Sequence, residues 1–185
     1  MASTSNIDDL TYRRILASFV TGVTVVTARD PESGLPRGMT ANAFMSVSLA
    51  PRLILVSVRR NAHMHPILQR AKSYAVTILG RSLEREARRF AGLPVADHEP
   101  PPEFEDRGGV PVLCNGLAWI VADIEDAVLA GDHTIFIGRV IDSSQDRPDE
   151  APLAYYRSSF SDVRSVAGTP PLPLDAWGGG AEMWG

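Results

Sequence analysis

The chain has 185 residues, 44% of them apolar and 22% charged, which suits one domain with a self-sufficient core and the composition of an ordinary globular protein. Its formal net charge of −4 argues against a nucleic-acid or anionic-membrane surface. No apolar run approaches the roughly 20 residues of a membrane span, and the start MASTSNIDDL lacks a basic region followed by an apolar one, so the expected location is the cytoplasm.

Residues Asp8 to Phe19 read as a helix, capped by Asp8 or Asp9, with Leu10, Ile15, Leu16 and Phe19 as an apolar stripe. GVTVVTAR, Gly22 to Arg29, is a β-branched run that predicts a strand and ends in the turn-rich DPESGLPRG. GMTANAFMSVSLAPRLILVSV, Gly38 to Val58, reads as two strand-like runs hinged at Ala50-Pro51. RRNAHMHPILQRAK predicts a short helix in its latter part, with Pro66 in the first turn, and SYAVTIL from Ser73 to Leu79 predicts another strand.

Ser82 is placed to cap a helix through LEREARRFAG that stops at Gly92 and carries Leu83, Ala87 and Phe90 on one face. A loop rich in proline and acid, LPVADHEPPPEFEDRGGVP, leads to the β-rich second half. Cys114, the one cysteine, excludes an intrachain disulfide and any CxxC motif and reads as a small buried hydrophobe. GLAWIVADIEDAVLAGDHTIFIGRVIDSS then offers strands around a hairpin signal at Gly131-Asp132. Residues 1–166 form the expected domain, and the Pro/Gly/Trp-rich 167–185, with Trp177 and Trp184, reads as a tail. About six strands without βαβ alternation predict a mainly β, antiparallel barrel with a few helices.

Several segments bear on chemistry. Thr40 and Asn42 share one strand parity with Ser46 and Ser48, while Met39, Ala41 and Ala43 share the other. Such a row is either a solvent-facing amphipathic strand or the wall on which a flat aromatic ligand lies, small side chains admitting the ring and polar groups meeting its edge. His133 begins an otherwise apolar row with Ile135 and Ile137, either as a hydrogen-bonded structural residue or as a contact to a redox partner. Arg85, Arg88 and Arg89 are spaced for a guanidinium patch or for a solvated, ion-paired helix face. His63 and His65 lack a third ligand at metal-site spacing, so no metal is expected. There is no GxGxxG after a strand, no GxxxxGK[ST] and no Ser/His/Asp spacing.

TGVTVVTA, GMTANAFMSVSLAPRLILVSV, YAVTIL, RRFAG, AGDHTIFIGRV and PLAYYRSSF occur in an order and spacing that resemble the flavin reductase-like family, the small NAD(P)H:flavin oxidoreductases of two-component monooxygenases. The resemblance spans about Tyr12 to Phe160. It implies an FMN-binding split β-barrel with Greek-key-like strand order, a homodimer with flavin near the subunit interface, FMN or FAD as flavin, NADH or NADPH as reductant, and a partner monooxygenase. By that likeness Met39, Thr40, Ala41, Asn42 and Ser46 hold the isoalloxazine, and Ser57, Val58 and Arg59 line the ribityl side. Arg88 and Arg89 lie near the phosphate, His133 seats the nicotinamide, and Tyr155 or Tyr156 is close by. Where many relatives carry Asn-Ser before His-Pro, this chain has His63-Met64, and a methionine cannot donate a hydrogen bond. The alternatives are a flavin-binding module without turnover, a related split-barrel oxidase, and an interaction protein anchored by the tail tryptophans.

Overall fold

In the computed structural model, which describes residues 7–96 and 98–163, the β-branched runs form a strongly curved antiparallel sheet. The tail 167–185 lies outside the described residues. Strands β1 (Thr21–Gly22), β2 (Thr24–Arg29), β3 (Pro36–Ala41), β4 (Phe44–Leu49) and β5 (Arg52–Arg59) precede helix α2 (Met64–Arg70) and β6 (Ser73–Ile78). Helix α3 (Glu84–Phe90), the hairpin β7 (Phe104–Arg107) and β8 (Val110–Leu113), the long strands β9 (Ala118–Ala130) and β10 (His133–Gln145), and the hairpin β11 (Leu153–Tyr156) and β12 (Ser159–Asp162) follow, while α1 (Asp9–Leu16) opens the chain. Seven strands make the main sheet in the order β3-β2-β6-β9-β10-β5-β4. Its two edge strands, β3 and β4, are separated in sequence only by Asn42 and Ala43, so the sheet rolls until its edges meet at that corner, and the result is a split barrel. The Ser57 N–H donates to the Ala43 carbonyl at 3.0 Å and pins the corner onto β5.

Strand β2 is buried on both faces, which explains its unbroken apolar and threonine run. Val26 and Ala28 face the barrel interior with Val56, Val58, Tyr74 and Phe136. On the other side Val25 packs with Val23, Leu79, Leu83 and Ala87 beneath α3. The two buried threonines of β2 are satisfied through backbone carbonyls, Thr24 donating to Ala41 at 2.8 Å and Thr27 donating to Pro111.

Several elements differ from the sequence reading for identifiable reasons. The stretch Gly38 to Val58 contains three strands rather than two, because the chain turns at Asn42-Ala43 as well as at the cis Ala50-Pro51 peptide. The Pro-rich loop holds the β7–β8 hairpin, turned by Gly108 and Gly109 at φ +62° and +89°. Ser82 does not cap α3 through its side chain: a 3-10 turn over Arg81–Leu83 precedes the helix, and the Ser82 N–H donates to Glu150 Oε1 at 2.9 Å. Helix α1 is capped as expected, Asp8 Oδ1 accepting from Leu10 and Thr11, yet none of its residues is buried. The β9–β10 hairpin forms as read, with Gly131 at φ +62°.

Close approach inside the barrel accounts for Gly138, beside a register shift between β9 and β10: a Cβ there would lie 2.7 Å from the Tyr74 hydroxyl and 2.9 Å from the Ala122 methyl. Tyr74 is fully buried and its hydroxyl makes no hydrogen bond, so the ring has no direction in which to yield. Gly138→Ala is expected to destabilise the fold by about 1–3 kcal/mol, read as a lower urea midpoint at unchanged m-value.

His65 is buried, its Nε2 2.8 Å from Thr134 Oγ1 and its ring edge-on to Phe136. Burial, reinforced by the nearby Arg60 charge, depresses the imidazole below its ordinary value. Since the folded state favours the neutral form, this stabilisation is present above the unfolded pKa of about 6.5 and is lost as pH falls through the lower folded value. The melting temperature is therefore expected to fall between pH 7.5 and 5 more steeply in the wild type than in His65→Gln; equal slopes would assign the acid sensitivity to other groups.

Candidate functional site

Three cavities meet at Asn42, the first residue of the corner where the sheet edges join. Its neighbour Ala41 is buried in the barrel, whereas Asn42 is exposed, so the turn that ends β3 pushes an amide side chain out to where the cavities converge. The first cavity, about 520 Å³, is bounded by Thr40, Asn42, Glu84, Arg88, Tyr155 and Phe160. The second, about 640 Å³, has an apolar floor of Phe19, Phe44, Met45 and Leu55, with Ser57, Arg13 and Arg157 at its border. Asn42, Tyr155 and Ser158 line both. These volumes lie in the range of small-molecule and cofactor sites.

The first cavity is built by three elements. Thr40 on β3 donates its hydroxyl to the Ala87 carbonyl of α3 at 2.7 Å, which ties sheet edge to helix. Arg88 on α3 is held by Glu84 one turn earlier, with Nε and Nη2 at 2.9 and 2.8 Å from Glu84 Oε1. Its guanidinium also lies 5.5 Å from the centre of the Phe160 ring, and Phe160 meets Tyr155 edge-on at 5.7 Å. The result is a planar cation on an aromatic wall, its charge largely offset by a carboxylate.

The remaining candidates divide clearly. Ser57 lines the second cavity, while the Val58 side chain is fully buried in the barrel core, leaving only its backbone available to a ligand, and Met39 is partly buried against that core. Ser46 is half-buried on β4, pairs with Ile54 and lies outside the cavities described above. A single face running from Thr40 to Ser48 does not exist: the corner at Asn42-Ala43 and the register shift between Ser46 and Ser48 interrupt the parity. The arginine patch does not form either. Arg85 pairs with Glu86 and Glu99, and Arg89 donates to the carbonyls of Pro100 and Glu99, leaving Arg88 alone at the cavity. His63 and His65 are not side by side in a strand, since α2 begins at Met64, and Met64 itself is buried in the core.

His133 starts β10 opposite Arg59, and Ile135 opposite Ser57, so strand alternation puts His133, Arg59, Ser57 and Leu55 on one face. The imidazole thus stands one side-chain step, about 7 Å, beyond the part of the second cavity that Ser57 borders. It is half-exposed, and its Nδ1 is 2.7 Å from Asp132 Oδ1; that hydrogen bond is the main reason the Asp132 carboxyl sits below the usual range. Tyr156 is stacked under the Arg157 guanidinium, 5.1 Å from its ring centre, and only Tyr155 of the pair lines the cavities.

Sequence reasoning passed over Glu84 as a cavity residue, and Arg13, Phe19, Arg157 and Phe160. The signal for Phe160 and Arg157 was present in YYRSSF, a hairpin whose turn holds Arg157 and Ser158 at φ 47° and 64°. Arg13 and Phe19 had no such signal, because the residues they face are far along the chain.

The cavities fit a flavin and a nicotinamide on their donor chemistry: amide and hydroxyl groups for a polar ring edge, aromatic and aliphatic surface for ring faces, and cations for phosphate. Among the described residues no group of three or more His, Cys, Asp or Glu could hold a metal, and no helix is long and apolar enough to cross a membrane. The comparisons agree with this chemistry. Residues 16–164 match the model of the flavin reductase like domain. The NADH-dependent flavin reductase StyB of Pseudomonas fluorescens is 34% identical over 173 residues, covering 92% of this chain and 95% of that protein. The solved flavin reductase PheA2 is 39% identical with a TM-score of 0.79, covering 86% of this chain and all of that one. BorF, the flavin reductase component of a bacterial two-component tryptophan halogenase, is 35% identical with a TM-score of 0.74 over 86% of this chain and all of that one. With the split barrel, the shared cavities and these matches together, the chain belongs to the flavin reductase-like family.

Proposed function

We propose that the protein is an NAD(P)H:flavin oxidoreductase that uses FMN or FAD as a diffusible substrate and passes reduced flavin to an oxygenase. The observation that carries this reading is the position of Asn42 at the junction of two adjoining cavities, each large enough for a planar ligand, in a chain that aligns along nearly its whole length with an NADH-dependent reductase. The flavin supplies the chemistry, accepting hydride from a reduced nicotinamide; the protein supplies position and electrostatics.

In this reading Thr40, Asn42 and the backbone from Met39 to Ala41 meet the ring edge, with Tyr155 as a wall. Thr40 is already oriented by its bond to Ala87, and Asn42 presents both a carbonyl and an amide. Arg88 places a planar guanidinium of little net charge beside the flavin, held at a fixed angle by Glu84 and Phe160. Ser57 and Arg59 continue the surface toward His133, which contacts the nicotinamide end, and the Asp132 contact fixes its ring orientation. No group here needs to act as a strong general base, so loss of any one contact slows turnover without abolishing it.

The surfaces left bare support a homodimer. Leu10, Ile15, Leu16 and Phe19 on and after α1 are each more than half exposed, as are Met45 and Leu49 on β4. A second copy placed over this face would cover the α1 stripe and roof the second cavity. A cytoplasmic setting, where reduced nicotinamide is available, suits the single cysteine.

Steady-state oxidation of NADH and NADPH with FMN, FAD or riboflavin tests the activity, and turnover that saturates with added flavin is the expected result. Asn42→Ala is expected to lower kcat/KM for flavin about 10-fold to 100-fold through one lost hydrogen-bonding partner; an unchanged value would remove Asn42 from the site. His133→Ala is expected to reduce NADH-dependent turnover far more than flavin affinity measured by fluorescence quenching, and equal losses in both would sink its assignment to the nicotinamide.

A further inference from the structure

The second cavity is bordered by two arginines for which the preceding assignments give no role. Arg13 comes from α1 and Arg157 from the β11–β12 turn, and neither is ion-paired among the described residues. The arginines of α3 are held: Arg85 and Arg88 are ion-paired with glutamates, and Arg89 donates to backbone carbonyls. Free positive charge at the site is therefore concentrated in the second cavity.

The two residues are held together by the backbone. The Arg157 N–H donates at 3.0 Å to the carbonyl of Ala17, the residue that caps α1 one turn after Arg13. Arg157 and Ser158 both adopt left-handed backbone conformations, which cost a non-glycine residue on the order of 1 kcal/mol or more. The bond to α1 and the β11–β12 pairing hold that turn in place, with Ser158 facing both cavities and Arg157 bordering the second. The same cavity is lined by the apolar side chains Phe19, Phe44 and Leu55.

Two planar cations without a carboxylate partner, Arg157 resting on the Tyr156 ring, at the border of an apolar cavity match a molecule with adjacent negative charges and a flat end. We propose that Arg13 and Arg157 clamp the diphosphate of a dinucleotide, an inference that rests on the reductase reading for the identity of the ligand. The diphosphate belongs either to the nicotinamide dinucleotide or to FAD; FMN carries a monophosphate and riboflavin none. Arg88, already neutralised by Glu84, is left to orient the flavin by stacking and hydrogen bonding.

The test uses the full chain with Arg13→Gln, Arg157→Gln, both together, and Arg14→Gln as a control on the same helix but outside the cavity. Calorimetric titration with ADP reads the clamp without requiring turnover, and KM is measured for NADH with riboflavin and for FAD and FMN with NADH. Each single variant is expected to weaken ADP binding about 10-fold and to raise the KM of the diphosphate-bearing partner similarly, with kcat little changed and Arg14→Gln behaving as wild type. A rise in KM for NADH with riboflavin assigns the diphosphate to the nicotinamide dinucleotide; a rise for FAD alone, with FMN unaffected, assigns it to FAD. Unchanged ADP affinity and unchanged KM values in the double variant would overturn the clamp in an enzyme that remains active. ADP binding that depends on both arginines in a protein without flavin turnover would instead overturn the reductase reading and keep the clamp. Should Arg157→Gln fail to fold, Arg157→Lys retains the charge but not the planar fork, and Arg13→Gln alone still decides the matter.

Discussion

The site depends on one closure: β3 and β4, the two edges of a seven-stranded sheet, are joined by only Asn42 and Ala43. A sheet whose edges are separated by two residues must curl, and the Ser57 N–H bond to Ala43 fixes how far it does so. The strands adjoining the corner then face in two directions. Ala41 and Val58 turn into the barrel and stabilise it, while Asn42 and Ser57 turn outward. The same backbone path that completes the core therefore sets the polar groups of the cavities, and neither can be moved without the other.

Helix α3 shows how packing and electrostatics share a short element. Leu83 and Ala87 are buried against β2 and its neighbours, which fixes the helix on the sheet. That leaves Glu84 and Arg88 together on the cavity side, and the pair is half-exposed, where an ion pair adds little to stability. Its consequence is orientation: the guanidinium is held over Phe160 and presents little net charge. Arg85 and Arg89, one and five residues on from Glu84, are drawn the other way by Glu86, Glu99 and the Pro100 carbonyl. Glu86 within the helix, with an acid and carbonyls beyond it, thus breaks up a patch that spacing alone makes look continuous.

Legibility in the sequence followed the range of the interactions involved. The β9–β10 hairpin was readable because Gly131-Asp132 is a local turn signal between periodic strands, and α1 was readable because Asp8 caps it locally. The corner at Asn42-Ala43 was not, because it has neither glycine nor proline; it bends where sheet closure requires it. The β7–β8 hairpin was concealed by the acidic and proline-rich sequence around it, although Gly108-Gly109 marks its turn. Of the candidate site, Thr40, Asn42, Ser57, Arg88 and Tyr155 do line cavities, whereas Val58 and Met39 carry a pattern suited to a ligand wall but spend their side chains on the core.

The residues least visible in the sequence are those contributed by the two ends of the described chain. Arg13 and Phe19 precede the first strand of the main sheet, and Arg157 follows its last, yet the Arg157 to Ala17 bond brings both ends to the same cavity. In a barrel whose strands supply mostly apolar and hydroxyl groups, charge has to come from outside the sheet. Here it comes from a helix with no buried residue and a hairpin turn in left-handed geometry, two elements with little part in the core. Being loosely constrained by packing, they are where ligand preference could change between relatives while the barrel and its Asn42 corner stayed the same.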